Sequence, residues 1–146
     1  MEDRSIGREL KSVSVLLKRR LNDGAARSGI ELISGAQGLI LNHLFEQRYT
    51  VVCQKDIEQA FDIRRSTVSG VLSLMEKNGL IERASVPGDA RLKCLRLTAK
   101  GLRQQQLIRS EIMLLEQQIR RGLGEAELAV FFGVMDKIRA NLQEEL

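Results

Sequence analysis

Apolar residues recur along this chain first at helical spacing, then briefly at strand spacing, then at helical spacing again. Near the start Ile6, Leu10, Val13 and Leu17 stand four, three and four residues apart, one stripe of a helix. The run closes on Asn22-Asp23-Gly24, and Gly24 reads as a left-handed stop. The other face of this helix carries Arg8, Lys11, Lys18 and Arg19, so the narrow stripe must be laid on the chain's own core or on another subunit. We place it at a dimer interface.

Ser34-Gly35-Ala36-Gln37 has the spacing of a capping box and announces a second helix to about Gln47, with Leu41, Leu44 and Phe45 on its buried side. A short third helix fits Gln54 to Phe61, burying Ile57 and Phe61. Asp62-Ile63-Arg64-Arg65 leaves room only for a tight connection before Val68, Val71, Leu72 and Met75 resume the helical period, which ends at Asn78-Gly79. Two helices joined so closely form a helix-turn-helix.

After Gly79 the period shortens to that of a strand. Leu80 to Val86 and Lys93 to Leu97 flank the turn-forming Pro87-Gly88-Asp89-Ala90, which predicts a two-stranded hairpin, a wing. Thr98 then caps a helix running to about Arg121, with Ile108, Ile112, Leu115 and Ile119 in its stripe. Gly122-Leu123-Gly124 breaks it, and Leu128, Phe131, Met135, Ile138 and Leu142 mark a last helix. The predicted fold is mainly α with a small β-hairpin. A single domain over residues 1–146 would hold a winged helix-turn-helix lobe at about 34–98, with an association lobe built from both ends, about 1–24 and 99–146.

Composition agrees with this picture. At 146 residues, 43% of them hydrophobic, the chain can bury a core without disulfide or metal staples, and its one proline, Pro87, leaves long stretches free to be helical. No run of about 18 apolar residues and no secretory leader pattern occurs, so a cytoplasmic, membrane-free protein is expected. Charge is uneven. Residues 64–103 carry nine basic and three acidic groups, an excess of +6, between a neutral and a mildly acidic flank. A basic segment in that position suits a phosphate-binding surface.

The ordered set Ser66-Thr67-Val68-Ser69, Leu74 to Arg83 (Leu-Met-Glu-Lys-Asn-Gly-Leu-Ile-Glu-Arg), Asp89-Ala90-Arg91 and Leu97-Thr98-Ala99-Lys100-Gly101 resembles transcriptional regulators of the multiple-antibiotic-resistance regulator (MarR) type. The resemblance spans nearly the whole chain. It implies a homodimer on double-stranded DNA, most commonly a repressor, relieved by a small-molecule effector and needing no cofactor. Gly70, Glu58 and Cys53 depart from the usual pattern, so base preference does not transfer.

Residues near the start of a recognition helix can read the major groove, which makes Arg64, Arg65, Ser66, Thr67 and Ser69 the candidates there. Capping is the bland alternative for Ser66 and Thr67. At the wing the resemblance implies minor-groove insertion by Arg91, with Asp89 pairing to a nearby cation to hold the turn. Arg83 and Lys93 flank the hairpin and serve either phosphates or a salt bridge. The association stripe comprises Ile6, Leu10, Val13 and Leu17 with Leu128, Phe131, Met135, Ile138 and Leu142. A pseudo-palindromic site follows from the two-fold symmetry of such a dimer.

Two alternatives stand beside this reading. Cys53, near a helix N-terminus that would favour a thiolate, allows a thiol-redox sensor, although an inert cysteine is the simpler view. A winged helix can also serve as a protein-interaction module without DNA binding, but a basic recognition helix and wing do not suit one. An enzyme is not expected: there is one histidine, His43, and no phosphate loop, dinucleotide fingerprint or metal-ligand cluster. The spacing of Cys53 and Cys94 indicates neither a disulfide framework nor a zinc site.

Overall fold

The computed structural model describes residues 4–30 and 35–144. The capping-box residue Ser34 lies outside them. The chain divides into two compact units, residues 1–113 and 114–146. The elements are α1 (Ile6–Arg27), α2 (Gly35–Glu46), α3 (Gln54–Phe61), α4 (Arg65–Lys77), β1 (Ile81–Val86), β2 (Asp89–Leu97), α5 (Ala99–Arg120) and α6 (Glu125–Gln143). Among the described residues no helix is long and apolar enough to cross a membrane.

In the first unit one apolar core is assembled from α2, α3, α4 and the roots of the hairpin. Ile40, Leu41 and Leu44 meet Val52, Ile57, Val68, Leu72, Met75, Leu80, Ile81 and Leu95, with Phe61, Ile63, Val71, Leu97 and Ile108 packed against them. Each fully buried aliphatic side chain here contributes roughly 1.5–3 kcal/mol by leaving water, so this cluster fixes the angle between α3 and α4. The heptad-like stripe of α4 is therefore its inner face, and Arg65, Ser66, Gly70 and Ser73 fall on the outside.

Gly24 is not a stop. α1 continues through it to Arg27, and the turn comes at Gly29, whose φ is +71°, with the Ile30 N–H donating to the Ala25 carbonyl at 3.0 Å in a Schellman pattern. Gly24 is small for a different reason. A Cβ there would run into the Glu111 carboxylate of α5, which accepts a hydrogen bond from the Ser28 hydroxyl. The expected dimer-lobe boundary at residue 24 therefore falls inside a helix.

The stop at Asn78-Gly79 has the expected form. Gly79 takes φ +72°, its N–H reaches Glu76 O at 3.0 Å, and the Leu80 N–H reaches Met75 O at 2.9 Å. From there the chain enters β1, which pairs with β2 antiparallel from Ile81 opposite Leu97 to Ser85 opposite Lys93. The next pair is Val86 with Asp89, so Ala90, Arg91 and Leu92 stand as a bulge opposite no residue of β1. Pro87 and Gly88 alone make the turn, Gly88 at φ +85°, and β2 starts at Asp89 rather than at Lys93. The Leu95 N–H donates to Val52 O at 2.7 Å, which ties the segment before α3 to β2.

Thr98 caps α5 by accepting from the Gly101 N–H at 3.0 Å, and its hydroxyl donates to Gly79 O at 2.5 Å. Gly101 is buried against the Leu80 backbone, where any Cβ would strike the Leu80 carbonyl. The predicted stripe of α5 splits: Ile108 joins the core, Leu115 is half-buried, and Ile112 and Ile119 are exposed.

In the second unit Gly122, at φ +79°, ends α5, and Gly124 opens α6 with its N–H held by Glu127 Oε2 at 2.9 Å. No residue of α6 is fully buried; Phe131 packs edge-on against Phe132, with ring centres 5.4 Å apart.

Candidate nucleic-acid interface

α4 begins without a side-chain cap. Arg64 occupies the N-cap position in extended conformation, Arg65 is the first helical residue, and Ser66 and Thr67 follow within the first turn, all four exposed. Ser66 and Thr67 therefore do not cap. The first N–H groups of α4 point to solvent beside two arginines, and uncapped N–H groups with the helix dipole attract anionic oxygen. Among the described residues no side-chain hydrogen bond or ion pair engages Arg64, Arg65, Ser66, Thr67 or the Arg91 guanidinium.

Other predicted residues are engaged. Ser69 is half-buried, and its Oγ accepts from Gln54 Nε2, the first residue of α3, at 2.7 Å. Arg83 donates from Nε to Glu76 Oε2 at 2.8 Å, so of its two expected roles the structure displays the salt bridge. Lys93 reaches across the hairpin to Ser85 Oγ at 2.9 Å. Asp89 holds the bulge by a route other than the expected one: its Oδ1 accepts from the Arg91 backbone N–H at 3.0 Å. A short Asx-type bond of this kind fixes the Arg91 backbone while leaving its side chain to project from the bulge.

Cys53 sits at the N-cap of α3 and is half-buried. Its N–H is held by Asp56 Oδ2 at 2.7 Å. Burial pushes its thiol up from the ordinary range, and the nearby Asp56 carboxylate and Cys94 thiol push the same way. Here burial and Asp56 oppose the thiolate that a helix N-terminus would otherwise favour. His43 is half-buried and packs edge-on against Phe61 at 5.5 Å, a packing role. Among the described residues no three His, Cys, Asp or Glu side chains gather as metal ligands.

Gln54 and Glu76 were not visible as site residues from the sequence. Gln54 lies 15 residues before its partner, and only the packing of α3 on α4 brings the two together. Arg48, stacked over Phe45 and Tyr49 at 4.3 and 4.7 Å, is a further surface cluster that periodicity does not reveal.

A helical core with a tight helix-turn-helix and a two-stranded wing defines a winged-helix protein. Residues 33–92 match the model of the MarR family. A Thauera aromatica protein described as a candidate transcriptional regulatory protein for the hcr operon is 29% identical over 85 residues, 58% of this chain. That match spans about half of the relative, 51% of its length. Among solved structures, the transcription regulator MarR from Oenococcus oeni PSU-1 is 28% identical with a TM-score of 0.67, covering 93% of this chain and 99% of that one. The heme sensor protein PefR from Streptococcus agalactiae, in complex with heme, is 25% identical with a TM-score of 0.77, covering 97% and 95%. A MepR variant of S. aureus bound to an oligodeoxyribonucleotide shares the fold at 24% identity, with a TM-score of 0.65, covering 97% and 100%. Over residues 33–92 the chain is similar to the MarR family, and its fold is the winged-helix fold of MarR-type transcription regulators.

Proposed function

We propose that the protein acts as a homodimer on a pseudo-palindromic duplex operator, as a repressor released by a small-molecule effector. The observation that carries this reading is the set of unengaged cations and hydroxyls on the two reading elements. Arg64, Arg65, Ser66 and Thr67 stand at the start of α4, and Arg91 stands on a bulge whose backbone Asp89 secures. Bases are read by α4 in the major groove, Arg91 enters the minor groove, and the free N–H groups of α4 take a phosphate. A protein acting on chromosomal DNA in this way works in the cytoplasm.

Dimerisation is supported by apolar surface that a lone chain leaves in water. Ile6, Leu10 and Val13 of α1 and Phe131 and Leu142 of α6 are exposed, Leu142 by 81%, while Leu17, Leu128, Met135 and Ile138 are half-buried. Val15, Leu16, Val130, Phe132 and Val134 extend this exposure beyond the predicted stripe. Runs of exposed apolar residues along one helix are suited to burial against another chain. Effector control is drawn from relatives such as PefR with heme and MepR with ethidium.

Fluorescence titration against a labelled operator at several salt concentrations tests the reading. Log affinity should fall steeply and linearly with log salt, because each neutralised phosphate releases counterions. Arg91→Ala should weaken binding at least several-fold with the dimer intact. A flat salt response, or full affinity in Arg91→Ala, counts against the proposal.

A further inference from the structure

The interhelical hydrogen bond of the helix-turn-helix ends on a half-buried hydroxyl of α4, one turn from the exposed Ser66 and Ser73. Gln54 Nε2 donates to Ser69 Oγ at 2.7 Å, so one lone pair of that oxygen is already used. A serine hydroxyl has one proton to give. Since an amide N–H is supplied from behind, the Ser69 proton is left to point away from Gln54. The surface in front of it is open: the next residue is Gly70, where a Cβ would meet nothing within 4 Å, and Ser66 and Ser73 are exposed and small. Ser66 and Ser73, three residues before and four after Ser69, are its same-face neighbours on α4, and their short side chains leave room for a base edge to approach.

We propose that Gln54 is a specificity-determining positioning residue, which sets Ser69 as a hydrogen-bond donor to an acceptor edge in the major groove: purine N7, guanine O6 or thymine O4. The inference rests on the duplex-binding reading above. Cytosine N4 and adenine N6, both donors, are disfavoured opposite Ser69 because each would meet a proton rather than a lone pair. Gln54 itself touches no base; it acts through the orientation of the Ser69 hydroxyl. The same bond fixes α3 to α4, so a purely structural role is the competing account, and base preference separates the two.

The test is selection of bound sequences from random double-stranded DNA by the full-length protein, its Ser69→Ala, Gln54→Glu and Gln54→Met variants, followed by titration on the selected site. The wild type should show one acceptor-bearing position per half-site whose preference Ser69→Ala erases, with a loss of about three- to tenfold against the best alternative base, the size of one hydrogen bond. In Gln54→Glu the carboxylate accepts the Ser69 proton, the oxygen turns a lone pair outward, and preference at that same position shifts toward a donor edge. Gln54→Met, of similar size and without a hydrogen bond, should broaden preference there. Salt dependence should stay as in the wild type for the charge-neutral Ser69→Ala and Gln54→Met, because no phosphate contact is changed. A uniform loss of affinity with unchanged preference, or a change at some other position, overturns the inference while leaving duplex binding standing. A wild type that enriches no sequence sinks both.

Discussion

Arg83 on β1 donates its Nε–H to the Glu76 carboxylate on α4 at 2.8 Å, so the wing and the recognition helix are joined by a charged hydrogen bond as well as by the shared core. Both side chains keep contact with solvent, 31% and 46% of their surface, and a pair so placed is worth only about 0.2–1 kcal/mol. In a double-mutant cycle of Glu76→Gln and Arg83→Met followed by urea unfolding, the coupling should fall in that range. A coupling well above about 1 kcal/mol would contradict the solvent-exposed placement of the pair.

The two buried glycines should respond very differently to the same added methyl group. In Gly101→Ala the new Cβ meets the Leu80 backbone carbonyl, which cannot move without shifting β1, and a loss of about 1–3 kcal/mol is expected. In Gly24→Ala it meets the far end of the Glu111 side chain, which can swing aside, and alanine gains roughly 0.8–1 kcal/mol of helix propensity. Its net effect should lie within about 1 kcal/mol of zero, because the Ser28 to Glu111 hydrogen bond is given up. Urea midpoints decide; equal shifts would contradict the difference between a rigid and a flexible obstacle.

Cys53 should behave as a sluggish thiol. Burial, Asp56 and Cys94 all disfavour its thiolate, so alkylation by iodoacetamide at pH 7 should be slower than that of free cysteine. The sign of the linked stability follows from the same shift. A thiol raised in the folded state costs nothing below the unfolded value of about 8.5, and the fold loses stability as pH climbs from there through the folded value. Cys53→Ser should flatten that alkaline limb. Rapid alkylation at neutral pH, lost in Cys53→Ser, would reverse the assignment.

The exposed apolar stripes lead to a separate expectation. Val13 on α1 and Phe131 on α6 are 51% and 53% exposed in the single chain, and both belong to the proposed association stripe. Val13→Asp or Phe131→Asp would bury an unpaired carboxylate in a dimer interface, and each should shift sedimentation equilibrium toward monomer while leaving helical content unchanged. Wild-type assembly in both variants would mean that these faces pair with something other than a second copy.

Elements governed by local chemistry were legible in the chain. Thr98 three residues before Gly101, Asn78 before Gly79, and the 3–4 spacing of Val68, Val71, Leu72 and Met75 each settle a boundary or a face through short-range hydrogen bonding and periodicity. Gly24 misled because a glycine near the end of a helical run reads as a stop, whereas its smallness answers to Glu111, 87 residues further on. The bulge carrying Arg91 was hidden for a related reason: pairing register belongs to two strands at once, and the Pro87-Gly88 turn alone does not reveal how many residues of β2 stand unpaired. Of the site, residue types at the start of α4 and at the wing could be named in advance, but the partners of Ser69, Arg83 and Lys93 depend on how separate elements pack.

The hydroxyl of Thr98 touches the last turn before the wing through Gly79 O and the first turn of α5 through the Gly101 N–H, while its own N–H is spent on Leu80 O at 3.1 Å. Three elements thus share one pivot a few ångströms across. The wing's root and the end of α4 are thereby tied to the first turn of α5, so loss of the Thr98 hydroxyl would loosen all three at once.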